Sequence, residues 1–141
     1  MSDVRVPLAI KRQVAERAGH RCEYCMLPEL FSPAGFCIEH IMPSSGGGLS
    51  EIDNLAFACA GCNGHKADKI QEPDPITKRV VRLFHPRNDD WKRQFKWSSD
   101  GLVIEGRTAI GRTTVVALKL NRAGLTNLRR LLVREGIHPP L

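Results

Sequence analysis

The chain has 141 residues and a mass of 15.7 kDa, and its 42% hydrophobic and 26% charged content excludes disorder throughout and fibrous repeats. No apolar run approaches the roughly 18 residues of a membrane span, and residues 1–5 lack the basic-then-apolar layout of a secretory leader, so the sequence predicts a soluble cytoplasmic protein with no membrane partner. The net charge of +6 is uneven: residues 1–70 balance to −1, whereas residues 71–141 carry 14 Lys/Arg against 7 Asp/Glu, an asymmetry that suits a polyanionic partner.

Pro7 and the spacing of Leu8, Ile10, Val14 and Ala18 predict a first helix that stops at Gly19. Residues 26–35 hold two prolines and a glycine and read as a loop. A strand is predicted from Phe36 to Met42, ended by Pro43. A flexible connection follows through Gly46-Gly47-Gly48, then a second strand from Asn54 to Ala58 and a short helix from Asn63 to Ile70. Residues 71–90 read as a Pro- and charge-rich connection interrupted by Val80, Val81, Leu83 and Phe84. Phe95, Trp97, Leu102 and Ile104 flank a turn at Ser98–Gly101 and predict a hairpin. Thr108 can cap a helix running to Leu120, and a last helix spans 124–135 before Gly136. The expected organisation is a core at 1–70 and a basic extension at 71–141 packed on it, as one compact domain.

The cysteines carry the first chemical signal. Five cysteines without a leader argue against a disulfide framework. Four of them form two CxxC pairs, Cys22/Cys25 and Cys59/Cys62, with 33 residues between. Each pair on a tight turn can present two thiolates to one ion, and together they complete a tetrahedral, closed shell. With no position left for water, the implied Zn²⁺ is structural. Cys37 stands apart as a core residue.

The segment between the pairs carries the second. It reads Phe36-Cys37-Ile38-Glu39-His40-Ile41-Met42-Pro43, then the glycines, Asp53-Asn54-Leu55, and Cys59-Ala60-Gly61-Cys62-Asn63-Gly64-His65-Lys66. Residues 21–69, about a third of the chain, closely resemble the HNH endonuclease family, the ββα-metal nucleases, in the subgroup braced by a four-cysteine zinc site. The resemblance implies an α+β fold: a ββα-metal core with its structural zinc site, preceded by a helix and followed by a hairpin and C-terminal helices.

It also implies roles, residue by residue. His40 lies at the place of the general base, and an imidazole with an ordinary pKa of about 6.5 suits proton transfer at neutral pH. Asn54 lies at the central asparagine that holds the loop and orients the histidine. Asn63 stands where many members have histidine, which makes this an H-N-N variant with an amide oxygen suited to Mg²⁺ or Mn²⁺. Glu39 occupies the acidic position that ligates the catalytic ion, although adjacent strand residues point to opposite faces. His65 is a reserve ligand or a phosphate contact.

The resulting expectation is a metal-dependent DNA endonuclease, with a catalytically silent, zinc-containing nucleic-acid-binding module as the alternative. Lys66 and Lys69 on the short helix are expected to meet the DNA backbone. In the second half, Arg79, Arg82, Arg87, Lys92, Arg93, Arg107, Arg112, Arg129 and Arg130 form a pool for phosphate contacts, which position DNA without reading its sequence. The residues leave the oligomeric state open; with one catalytic ion per chain, cutting both strands together would take a dimer.

Overall fold

The structure, a computed structural model, describes residues 6–140; the N-terminal pentapeptide read for a leader and Leu141 lie outside the described residues. The chain divides into two compact units. One runs through Ile70 and takes in His85–Asn88; the other comprises Gln71–Phe84 and the chain from Asp89 onward. Helices are mixed with two-stranded antiparallel sheets, an α+β fold. Among the described residues, no helix is long and apolar enough to cross a membrane.

The first unit is built around one hairpin. Strand β1 (Cys37–His40) pairs with β2 (Leu55–Ala58), with Ile38 opposite Phe57, Glu39 opposite Ala56 and His40 opposite Leu55. Side chains alternate across a strand, so Ile38, Leu55 and Phe57 share one face and Glu39, Ala56 and Ala58 the other. Helix α1 (Leu8–Arg17) covers the first face, where Val14 and Val6 close a small core with Ile38, Leu55 and Phe57. Its end is a chain reversal in which Gly19 and His20 both adopt positive φ. Helix α2 (Ala60–Lys66) covers the second face through Lys66, which reaches Glu39. The alanines there keep that face low enough for a helix to approach. This helix starts earlier than the sequence suggests: Cys59 Sγ accepts from Cys62 N at 3.4 Å and caps it, so the second cysteine pair forms its first turn rather than a separate one.

The second unit opens with a hairpin that the sequence conceals. Strands β3 (Gln71–Pro73) and β4 (Val80–Arg82) pair across a turn centred on Asp74. Its carboxylate accepts from Thr77 Oγ1 at 2.8 Å and from Arg112 Nη2 at 2.9 Å and Nε at 3.1 Å. Strand β3 is Gln-Glu-Pro, with no apolar residue to alternate, which is why residues 71–90 read as a connection. Helix α3 (Trp91–Gln94) leads directly into β5 (Phe95–Trp97), which pairs with β6 (Ile104–Gly106) as expected for that hairpin.

Thr108 Oγ1 accepts from Gly111 N at 3.0 Å and starts α4 (Ala109–Ala117); α5 (Ala123–Arg134) follows. A Cβ on Gly111 would lie 2.0 Å from Gln94 O, so only glycine lets α4 begin that close to the hairpin. Phe84, Phe95, Trp91 and Trp97 stack in that order with centroid separations of 5.2, 5.0 and 5.5 Å along the series. Phe84 and Phe95 are buried in the core, and Trp91 and Trp97 are half-buried at its edge. Arg129, expected on DNA, belongs to this core as well. It is 3% exposed, donates to Leu102 O, Asn121 Oδ1 and Leu120 O, and lies 5.1 Å above the Trp97 ring. This is a correction: burial removes Arg129 from the phosphate-contact pool, while Arg130 remains exposed.

Candidate active site

The metal centre is assembled by the hairpin and its two flanking turns. The Sγ atoms of Cys22, Cys25, Cys59 and Cys62 all lie within 4.8 Å of one another, and Cys25 and Cys59 are 3.7 Å apart. Zinc with Zn–S distances of about 2.3 Å produces a tetrahedron with S–S edges of about 3.8 Å, whereas a disulfide requires about 2.05 Å. The spacing suits a shared ion. Burial pushes the Cys22 and Cys25 thiols up, a hydrogen bond to Cys22 does the same to Cys62, and only Cys59 is pulled down, by the three thiols around it. Protein groups alone therefore do not make four thiolates here. The donor set fits a dication such as Zn²⁺, which would supply the missing charge. Within the first pair, Glu23 ties the turn to the hairpin: its Oε2 accepts from Phe57 N at 2.8 Å and its Oε1 from Arg87. Burial, with Arg17 nearby, pulls the Arg87 guanidinium down to about 10, still cationic at neutral pH.

Beside this centre, the loop from Ile41 to Asn54 closes over the end of the hairpin. Asn54 is its brace: Oδ1 accepts from Met42 N at 2.8 Å, and Nδ2 donates to Met42 O and Leu49 O, both at 2.9 Å. Arg17 pins the same junction by donating to Ile52 O and Leu55 O. A Cβ on Gly48 would sit 1.8 Å from Met42 O. The glycine run, which reads as a flexible connection, is thus a tightly folded stretch held by hydrogen bonds. Its small residues serve close backbone approach.

His40 ends β1 beneath this loop, 5% exposed, with Nε2 2.8 Å from Ser50 Oγ. A cavity of about 180 Å³ is lined by Glu39, His40, Pro43, Ser44, Ser45, Asn63 and Ala67. The structure brings Glu39, His40 and Asn63 to one cavity, with Asn54 bracing the loop above. His65 and Lys69 are half-buried on and just after α2, and Lys69 Nζ donates to His65 O at 3.1 Å.

Two side chains are placed differently from the sequence reading. Lys66, expected on the DNA backbone, is 1% exposed and donates to Glu39 Oε2 at 2.8 Å and to Ile41 O at 2.9 Å. Burial corrects that expectation. Glu39, expected on the catalytic ion, has both oxygens engaged: Oε2 with Lys66 and Oε1 accepting from Tyr24 Oη at 2.5 Å. Burial pushes its carboxyl above the ordinary range, and the Lys66 ammonium pulls against that. Glu39 thus borders the same cavity as His40 and Asn63 with an ammonium 2.8 Å from one of its oxygens.

Sequence reasoning missed Ser50, Tyr24 and Arg17. Tyr24, between two cysteines, and Ser50, just after the glycine run, lie within the segment 21–69, whereas Arg17 lies before it. Arg82 and Arg112, from the phosphate-contact pool, are paired with Asp89 and Asp74, and Arg87 with Glu23.

Compared with known proteins, residues 22–69 match the family model described as HNH endonuclease, which bears out the resemblance over that segment. No curated protein and no solved structure matches the chain.

Proposed function

We propose that this chain is a metal-dependent DNA endonuclease that hydrolyses phosphodiester bonds, with His40 as general base. The observation that carries the reading is the meeting of His40 and Asn63 at one cavity, under an Asn54-braced loop and beside a four-cysteine cluster, inside the segment that matches the family. A silent binding module has no need of a buried imidazole at the wall of such a cavity.

His40 accepts a proton from water, the water oxygen forms a new bond to phosphorus, and the bond from phosphorus to the departing sugar oxygen breaks. Such positioned base catalysis is worth about 10²–10⁴ in rate. Ser50 holds the ring from the Nε2 side, and the fixed loop keeps that partner in place. A divalent ion, Mg²⁺ or Mn²⁺, held at the Asn63 side of the cavity would neutralise charge on the scissile phosphate. The zinc of the four-cysteine cluster is structural in this reading and takes no part in the chemistry. DNA is the partner, attracted by the basic second half of the chain.

The test is nicking of supercoiled plasmid by the zinc-loaded chain. Mg²⁺ is expected to support nicking and EDTA to stop it, and His40→Ala is expected to lose at least a hundredfold in rate while keeping its zinc. Wild-type rates in His40→Ala would end this mechanism.

A further inference from the structure

We infer that Glu39 and Lys66 form a positioning pair, and that Glu39 is not a ligand of the catalytic ion. The inference rests on the nuclease reading above and changes the part Glu39 plays in it. Tyr24, Glu39 and Lys66 are all sealed from solvent, at 0%, 2% and 1% exposure. Each belongs to a different element: Tyr24 sits between two cysteines of the metal cluster, Glu39 precedes His40 on β1, and Lys66 lies one turn beyond Asn63 on α2. The carboxylate takes Tyr24 on one oxygen and Lys66 on the other. The ammonium also takes Ile41 O, so it grips the chain on both sides of His40.

The consequence is geometric. His40 and Asn63 come from different elements, and at the end of β1 Glu39 and His40 both border the cavity that Asn63 reaches from α2. Lys66 is the link that fixes the helix bearing Asn63 against the strand bearing His40. A buried, hydrogen-bonded ion pair suits this task, because either partner alone would be an uncompensated charge in a dry site. Glu39 borders the cavity, but Lys66 on one oxygen and Tyr24 on the other already hold its carboxylate, whereas an ion ligand needs an oxygen with no cation against it. Glu39 therefore sets where the base and the amide stand, and leaves the ion to other groups.

The experiment uses the zinc-loaded full chain and compares wild type, Glu39→Gln and the double variant Glu39→Leu/Lys66→Met. Mn²⁺ binding is followed by electron paramagnetic resonance, and plasmid nicking supplies kcat and KM. The double variant replaces both charges together, which protects the fold, and retained zinc and melting temperature verify this. Glu39→Gln, which leaves the buried Lys66 ammonium without its counter-charge, is expected to lower the melting temperature and kcat while holding Mn²⁺ affinity within threefold. The double variant is expected to bind Mn²⁺ within threefold of wild type and lose at least tenfold in kcat at unchanged KM. Mn²⁺ binding weakened tenfold or more in both variants would make Glu39 a ligand and overturn the inference. Wild-type kcat in the double variant would show that the pair positions nothing. If wild type itself neither nicks nor binds Mn²⁺, the nuclease reading falls and takes this role with it. That failure is seen on the unmodified chain, whereas the others appear only in the variants.

Discussion

At the scale of single residues, the site depends on side chains whose surroundings decide their chemistry. Ser50→Ala removes the Nε2 partner of His40. A neutral hydrogen bond is worth about 0.5–1.5 kcal/mol, so nicking should slow roughly threefold to tenfold with zinc content unchanged, measured by plasmid nicking beside metal analysis. Lys66→Met alone should be far more damaging, because it strands a buried carboxylate; breaking such a pair costs about 3–5 kcal/mol, readable as a large drop in urea midpoint. Residue identity made His40, Asn54 and Asn63 legible, since imidazole and amide chemistry at that spacing has few other uses. It misled for Lys66 and Arg129. A cation in a sequence is taken as solvated unless a partner is visible, and their partners, Glu39 and the carbonyls of Leu102 and Leu120, lie 27, 27 and 9 residues away.

At the scale of elements, the helices and the longer hairpins were readable because their apolar periods and caps are local. The β3–β4 hairpin was not, because it depends on Asp74 finding Arg112, 38 residues on. That dependence has a pH signature. Arg112, with Thr77, holds the Asp74 carboxyl well below the ordinary carboxylate range. A group more acidic folded than unfolded contributes stability above its unfolded pKa, about 3.9 for aspartate, and loses that contribution as pH falls below it. Thermal unfolding between pH 2 and 6 should show wild type losing stability at the acid end, with a smaller acid loss in Asp74→Asn. Helix α5 offers a second test. Arg130 and Arg134 are exposed on it, and Arg129 is buried. If the two exposed arginines meet phosphates, Arg130→Ala/Arg134→Ala should make the slope of log K against log salt shallower by about 0.9 per lost contact. An unchanged slope would take them out of the interface. Arg129→Ala should instead lower stability, through the hydrogen bonds and the Trp97 contact it loses.

For the whole molecule, charge located the basic half and the family resemblance the α+β class, while the metal chemistry came from cysteine spacing and survives into the structure as a compact cluster. The acidic residue, the imidazole and the amide that the sequence singled out border one cavity, and Lys66 also holds the carboxylate, so the two metals should differ sharply in how they are held. Four buried thiolates form a soft, closed shell joining segments more than thirty residues apart, and structural zinc in small domains carries about 10–16 kcal/mol of apparent folding free energy. Cys59→Ser should therefore cost the first unit its fold. The cavity at His40 and Asn63 offers hard, neutral groups and water, a site that exchanges its ion freely. Brief EDTA treatment should stop nicking while leaving about one zinc per chain and an unchanged circular dichroism spectrum, and added Mg²⁺ or Mn²⁺ should restore the rate. Asn63→Asp, which keeps an oxygen and adds charge, should retain activity, and Asn63→Ala should lose most of it. Metal content measured beside nicking rate on the EDTA-treated chain separates the sites: loss of zinc and activity together, with recovery by zinc alone, would mean that the cysteine cluster is the only metal site this protein uses.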